Sequence, residues 1–218
     1  PVTPNSNNAQ AVLRVSLGCR SPAVKWAAMN CRKLRLFLSG QPQHTQKLYE
    51  LIFNNALEVA FATRPDDRGA IVANTGVLKS VGFEREEGLL PYPARSFAGY
   101  RLLTEAFAFP QKFLFVDIEI PPAALARTEN VLDLFIYLNR TADDLAVNVN
   151  AETFRLGCTP MVNLYKQATE PIRMTQMHYS ILAKSIWTRI VSKRLASSVS
   201  FDSTSPPPLA TPAAVARC

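Results

Sequence analysis

The stretch "GYRLLTEAFAFPQKFLFVDIEI", residues 99–120, changes period in the middle. Before Pro110, Phe97, Tyr100, Leu103 and Phe107 fall on one helical stripe, with Ala98, Leu102 and Ala106 beside it and Arg101, Thr104 and Glu105 opposite. That is the pattern of an amphipathic helix whose charges face water. Proline pushes the residue before it out of the helical region, so the helix ends at about Phe109. "KFLFVDIEI" (112–120) then alternates, with Leu114, Val116, Ile118 and Ile120 on one side and Phe113 and Phe115 on the other, giving way to Asp117 and Glu119. This predicts a strand buried on both faces at its start and wet on one face at its end. A chain that turns from helix to strand around one proline, with phenylalanines on either side, is tied to a mixed fold.

The flanking sequence agrees. Period-two alternation marks "AVLRVSLGC" (11–19), "RKLRLFLSG" (32–40), "ALEVAFATR" (56–64), "VLDLFIYLNR" (131–140) and "LAVNVNAETFRL" (145–156) as strands, the first two as sheet partners. Pro42 suits a first helical turn, and Leu48, Leu51 and Ile52 continue it as a helix over 42–55. "RPDDRG" (64–69) is a turn, and "GAIVANTGVLKSVGF" holds two short strands about Asn74-Thr75-Gly76. Residues 84–95 form an irregular connection. The fold class expected is α+β: strand-rich, with mainly antiparallel sheets, two or three amphipathic helices and a disordered C-terminal tail.

Three segments are expected: a polar leader at 1–10, read as a linker or frayed loop; a body at 11–178, with a possible sub-boundary near 64–70; and a basic, Ser/Pro-rich tail at 179–218. Within the tail Ile181, Ile186, Ile190 and Val191 have roughly helical spacing, but "SFDSTSPPPLATPAAVARC" lacks the apolar content to order itself. The chain starts with Pro instead of Met, the mark of a piece of a longer protein.

Charge and chemistry narrow the function classes. The net charge is +7, but from Ser180 onward Lys184, Arg189, Lys193, Arg194 and Arg217 oppose Asp202 alone, which leaves +3 over residues 1–179. A nearly balanced body is not a nucleic-acid footprint, so nucleic-acid binding through the basic tail stands only as an alternative. The sequence has no run of eighteen or more uninterrupted apolar residues, the length a membrane-spanning helix needs. Cys19, Cys31, Cys158 and Cys218 are too scattered for a zinc site or a disulfide framework, and are read as reduced thiols. His44 and His178 lack the neighbours of a catalytic base, and the glycines do not cluster into a phosphate loop. Asp66-Asp67, Glu84/Glu86/Glu87 and Asp143-Asp144 lie in turns, where carboxylates are solvated, and a hydrolase using one of these or Cys158 is the weaker alternative. No catalytic residue, cofactor, metal or small-molecule substrate is expected.

"SVGFEREEGLLPYPARSFAGYRLLTEAFAFPQKFLFVDI" (80–118), then "FRLGCTPMVNLYKQATEPIRM" (154–174), and earlier "LRLFLSGQPQHTQKLYELIFNNALEV" (34–59), resemble the TssF (VasA/ImpG) family of type VI secretion baseplate subunits. The resemblance runs over about 11–178 as an internal segment of a longer protein, and is not followed past His178. Ala106 stands where the family usually has an aromatic residue. The resemblance implies a non-enzymatic, structural wedge subunit in the bacterial cytoplasm, supporting the platform on which the sheath of a contractile, phage-tail-like injection apparatus polymerises. Its implied partners are a TssG-like subunit, a second TssF copy, and TssE- and TssK-like subunits. For such a protein the residues of interest are packing and interface anchors: Tyr100, Arg101, Phe107, Phe109, Pro110, Lys112, Phe113, Phe115, Cys158, Thr159, Pro160 and Asn163. Arg101 and Glu105, at i and i+4, are expected to pair on the wet face.

Overall fold

The computed structural model describes residues 1, 3–21, 23–90, 92, 97–162 and 213–217. Strand β1 (Ala11–Gly18) leads to a short helix α1 (Trp26–Met29), β2 (Lys33–Leu38), helix α2 (Pro42–Asn54) and β3 (Ala56–Ala62). The short strands β4 (Ile71–Ala73) and β5 (Leu78–Ser80) precede helix α3 (Ala98–Ala108), β6 (Phe115–Glu119) and helix α4 (Pro122–Arg127). Strand β7 (Val131–Leu138), helix α5 (Asp143–Asn148), β8 (Phe154–Arg155) and β9 (Ala213–Arg217) complete the order. The fold is α+β with two sheets, ordered β4-β3-β7-β1-β9 and β5-β6-β2-β8. Every pairing is antiparallel except that of β9, which runs parallel to β1.

Alternation explains why both sheets share one core. Leu13, Val15 and Leu17 of β1, Leu34, Leu36 and Leu38 of β2, and Val116 and Ile118 of β6 all enter the same buried cluster. Leu48, Leu51 and Ile52 carry the apolar stripe of α2 into it. β1 and β2 are therefore not sheet partners, as their similar patterns suggested: β1 pairs with β7 and β9, β2 with β6 and β8. Their leucine stripes meet in the core from different sheets. The other face of the larger sheet, with Ala60, Ala62, Phe135 and Tyr137, forms a small second cluster with Ala9, Val12, Leu57 and Ala70.

Further expectations change. Residues 145–156 are not one strand: helix α5 takes 143–148, and only Phe154–Arg155 pair as β8. Leu145 and Val149 are buried at i, i+4 spacing while Val147 between them is 85% exposed, so the residues read as alternating serve a helical face. Asp143 and Asp144 sit in that helix's first turn, where the dipole favours them. Helices α1 and α4 were missed because four and six residues carry too little periodicity.

The leader is not a frayed loop. Glu58, buried within β3, accepts hydrogen bonds from the Asn5 backbone N–H at 3.2 Å and its Nδ2 at 3.1 Å, and Tyr137 Oη donates to the Pro1 carbonyl at 2.6 Å. A buried carboxylate needs such donors, and the polar leader supplies them. In the tail, residues 213–217 form β9 instead of remaining unstructured. The rest of the disorder expected there, with the possible helix at 181–191, lies outside the described residues.

Asp117, expected on the wet side of its strand, is buried. Burial alone pushes its carboxyl pKa up, but hydrogen bonds from Arg35 and Lys33 outweigh that and hold it below the ordinary carboxylate range. Arg35 Nε and Nη2 grip the two oxygens at 2.6 and 2.7 Å, and Lys33 Nζ adds a contact at 2.7 Å. A carboxylate with a depressed folded pKa contributes stability above its unfolded pKa and loses it as pH falls through the folded one. The unfolding midpoint of the protein should therefore drop on acidification below about pH 4, and Asp117→Asn should flatten that part of the profile while lowering stability at pH 7. Urea titrations of both proteins at pH 7 and pH 3 check this. Equal acid losses in the two would contradict it.

Candidate interaction site at the helix-to-strand joint

The apolar stripe of α3 faces outward. Phe97 is 72% exposed, Tyr100 67%, Leu103 57% and Phe107 83%, whereas Arg101 at 3%, Glu105 at 6% and Lys112 at 2% are buried. This reverses the expectation that Arg101 and Glu105 form the wet side of the helix. Nor do Arg101 and Glu105 pair with each other.

The reversal has a physical reason in the segment before the helix. Residues 81–90 cross the α3 side with only one 3-10 turn, Arg85–Glu87, so their backbone groups need partners from elsewhere. Arg101 donates to the carbonyls of Phe83 (3.0 Å), Glu84 (3.0 Å) and Arg85 (3.3 Å). One oxygen of Glu105 accepts the Leu89 N–H at 2.9 Å, and the other accepts from Lys112 Nζ. Two charges on one helix face, Arg101 and Glu105, thus do for this segment what a neighbouring strand does in a sheet, while Lys112 pairs with Glu105 from the turn after the helix. A fanned guanidinium suits three convergent carbonyls better than a lysine ammonium would. Buried ions are tolerable only when paired and hydrogen-bonded, and here Lys112 and Glu105 are both.

The turn is built tightly around this clasp. Gly82 has φ of +104°, and a Cβ there would come within 3.2 Å of the Phe113 ring and 3.3 Å of the Lys112 carbonyl, so glycine is required. Its N–H donates to Glu87 at 2.6 Å. Phe83 packs on Phe113 at 5.0 Å between centroids, and Lys112 Nζ lies 5.1 Å from the Phe113 ring.

Pro110 ends α3 as expected, but the strand does not begin at Lys112. A 3-10 turn, Pro110–Phe113, intervenes, with Lys112 N–H bonded to the Phe109 carbonyl at 3.1 Å, and β6 starts at Phe115. Phe113 is therefore a half-buried turn residue and not part of a doubly buried strand. Phe109 and Phe115 are core residues, Phe115 meeting Phe37 of β2 at 4.9 Å.

Beside the joint lies a groove of about 570 Å³. One wall is Gly40, Pro42, Thr45 and Tyr49, from the end of β2 and from α2; another is Ala106, Phe109, Pro110 and Phe113; Cys158, Thr159 and Pro160 close it. The three stretches that carried the family resemblance thus meet in space at one place. Ala106, where the resemblance implies an aromatic residue, is part of the wall. Asn163 lies outside the described residues. Cys158 Sγ donates to the Leu156 carbonyl at 3.8 Å, and no histidine lines this groove.

Among the described residues no three His, Cys, Asp or Glu side chains are placed to hold a metal ion, and no helix is long and apolar enough to cross a membrane. The joint offers exposed apolar side chains and a buried ionic clasp.

Comparison with known proteins gives the family. The model of the family described as "Type VI secretion system, TssF" matches residues 1–187, which takes in the leader and extends nine residues past His178, where the sequence motifs had been followed. A curated relative, type VI secretion system component TssF1 of Pseudomonas aeruginosa, is 35% identical over 169 residues, covering 77% of this chain and 27% of the relative. The chain belongs to the TssF family of the type VI secretion system, and spans about a quarter of the length of that relative. A solved structure, that of the type VI secretion system TssK-TssF-TssG baseplate subcomplex by cryo-electron microscopy, matches 71% of this chain and 29% of its own at 22% identity, with a TM-score of 0.48.

What the sequence hid was the role of Arg101, Glu105 and Lys112. The one available signal was the preceding "SVGFEREEGLLPY", a stretch with no periodicity of its own whose backbone groups had to be satisfied from outside it.

Proposed function

We propose that this chain is part of a structural, non-catalytic wedge subunit of the type VI secretion baseplate, working in the bacterial cytoplasm, and that the outward face of α3 is where it meets a neighbouring subunit. Membership of the TssF family supports the role. The observation that carries the contact is the inverted helix: four large apolar side chains in solvent on a face without a charge, held there by a clasp buried behind them. Tyrosine and phenylalanine are enriched at protein interfaces, and an apolar stripe of this size is uncommon on a surface that stays exposed.

The candidate residues divide accordingly. Tyr100 and Phe107, with Phe97 and Leu103, are the contact anchors. Arg101 and Lys112, with Glu105, position them. Phe109 and Phe115 hold the joint to the core, and Pro110, Phe113, Cys158, Thr159 and Pro160 shape the groove beside it. The partners proposed are those the family implies: a TssG-like subunit, a second TssF copy, and TssE- and TssK-like subunits.

Co-expression of the full-length subunit with its TssG-like neighbour tests this. A stable complex is expected, lost in the double variant Leu103→Asp/Phe107→Asp. A complex that forms equally well with both aspartates present would overturn the assignment of the face. The nucleic-acid alternative rests on Lys184, Arg189, Lys193, Arg194 and Arg217, of which the first four lie outside the described residues, and nothing in the described body favours it.

A further inference from the structure

The outer edge of β1 has an unusual occupant. On its inner side β1 pairs over all eight residues with β7, and Leu13, Val15 and Leu17 anchor it in the core. On its outer side its neighbour among the described residues is β9, in parallel register from Arg14 opposite Ala213 to Gly18 opposite Arg217. The family match ends at residue 187, so β9 lies beyond it. The edge strand lies within the family match, and the strand that fills it here lies beyond it.

The two partners differ in how firmly they are held. β1 is locked by its ladder with β7 and by its core leucines and valine. β9 brings five residues, paired on one side in the parallel arrangement, which is slightly less stable per residue than the antiparallel one. In the sequence Pro212 precedes it and Pro206-Pro207-Pro208 stand further upstream. Proline cannot donate to a ladder, so the pairing segment is limited to "AAVAR". A rigid edge with unpaired N–H and C=O groups accepts any extended chain of compatible shape. That is the basis of recognition by strand addition.

We propose that the outer edge of β1, Arg14–Gly18, is a strand-acceptor site, filled in the free chain by its own residues 213–217 and open to exchange with an extended apolar segment that runs parallel to β1 and is supplied in trans. The proposal does not depend on the α3 contact. It makes β9 a cap over a docking edge.

Hydrogen exchange of the full chain, followed by mass spectrometry over residues 11–18, tests it. The variant Ala214→Pro/Val215→Pro removes a β9 donor whichever of the two N–H groups faces β1. The β1 amides pointing away from β7 should then exchange at least tenfold faster, while those of β7 (131–138) keep their rates and so report an intact body. A peptide of residues 210–218 carrying serine for Cys218 should restore protection in the variant as its concentration rises. Unchanged β1 exchange in the variant overturns the proposal, as does a peptide that fails to restore protection. So does wild-type protection that grows with protein concentration, since the capping strand would then come from a second copy and not from the same chain.

Discussion

Lys112→Ala is expected to lower the stability of the protein by about 3–5 kcal/mol, the range found when one partner of a buried ion pair is removed and the other charge is left behind. Lys112 and Glu105 side chains are only 2% and 7% exposed, so solvent cannot replace the lost partner. The loss should also spread to the segment before α3, because Glu105 holds the Leu89 N–H with its other oxygen. Denaturant unfolding gives the size, and faster amide exchange over residues 83–89 gives the place. The double variant Glu105→Gln/Lys112→Met removes both charges and keeps an acceptor for Leu89, and it should recover most of the loss. If Lys112→Ala costs less than about 1 kcal/mol, the side chain is not buried against Glu105 and the inverted orientation of α3 is wrong.

Leu103→Asp/Phe107→Asp should behave in the opposite way. Both side chains are mostly in solvent, so the isolated chain should keep its unfolding midpoint to within about 0.5 kcal/mol, as surface substitutions do. The same pair should weaken the complex with the neighbouring subunit at least a hundredfold, because two apolar anchors become charges that must be desolvated on contact, roughly 3 kcal/mol or more together. Equilibrium unfolding and a titration of the purified partner measure the two halves. A variant that fails to fold would mean that these residues belong to the core, as helical periodicity alone suggests.

The contrast between the two variants shows what the sequence holds and what it does not. The strands β1, β2, β3 and β7 and helix α2 were legible because long regular patterns coincide with burial. Helix α3 was equally legible as a helix, ending at Pro110. Its orientation was not, since hydrophobic periodicity names two faces and assumes that the apolar one goes inside. That assumption failed because the ten residues after Ser80 have little secondary structure of their own, and Arg101 and Glu105 were the groups able to satisfy them, with Lys112 neutralising Glu105. Residues 145–156 failed for a related reason: Leu145, Val147 and Val149 fit a strand and a helical turn alike, and packing chose the helix. The groove could not be read as one site because its walls lie over a hundred residues apart in sequence, from Gly40 to Pro160, although each wall was singled out on its own.

Hydroxyl-radical footprinting of the phenylalanines and tyrosines around the joint tests the central claim most directly, first on the isolated chain and then on its complex with the TssG-like subunit. The inverted helix predicts that Tyr100 and Phe107 are oxidised readily in the isolated chain while Phe109 and Phe115, two and eight residues further on from Phe107, are spared, and that complex formation protects the first pair. Phe107 as protected as Phe109 in the isolated chain would contradict it.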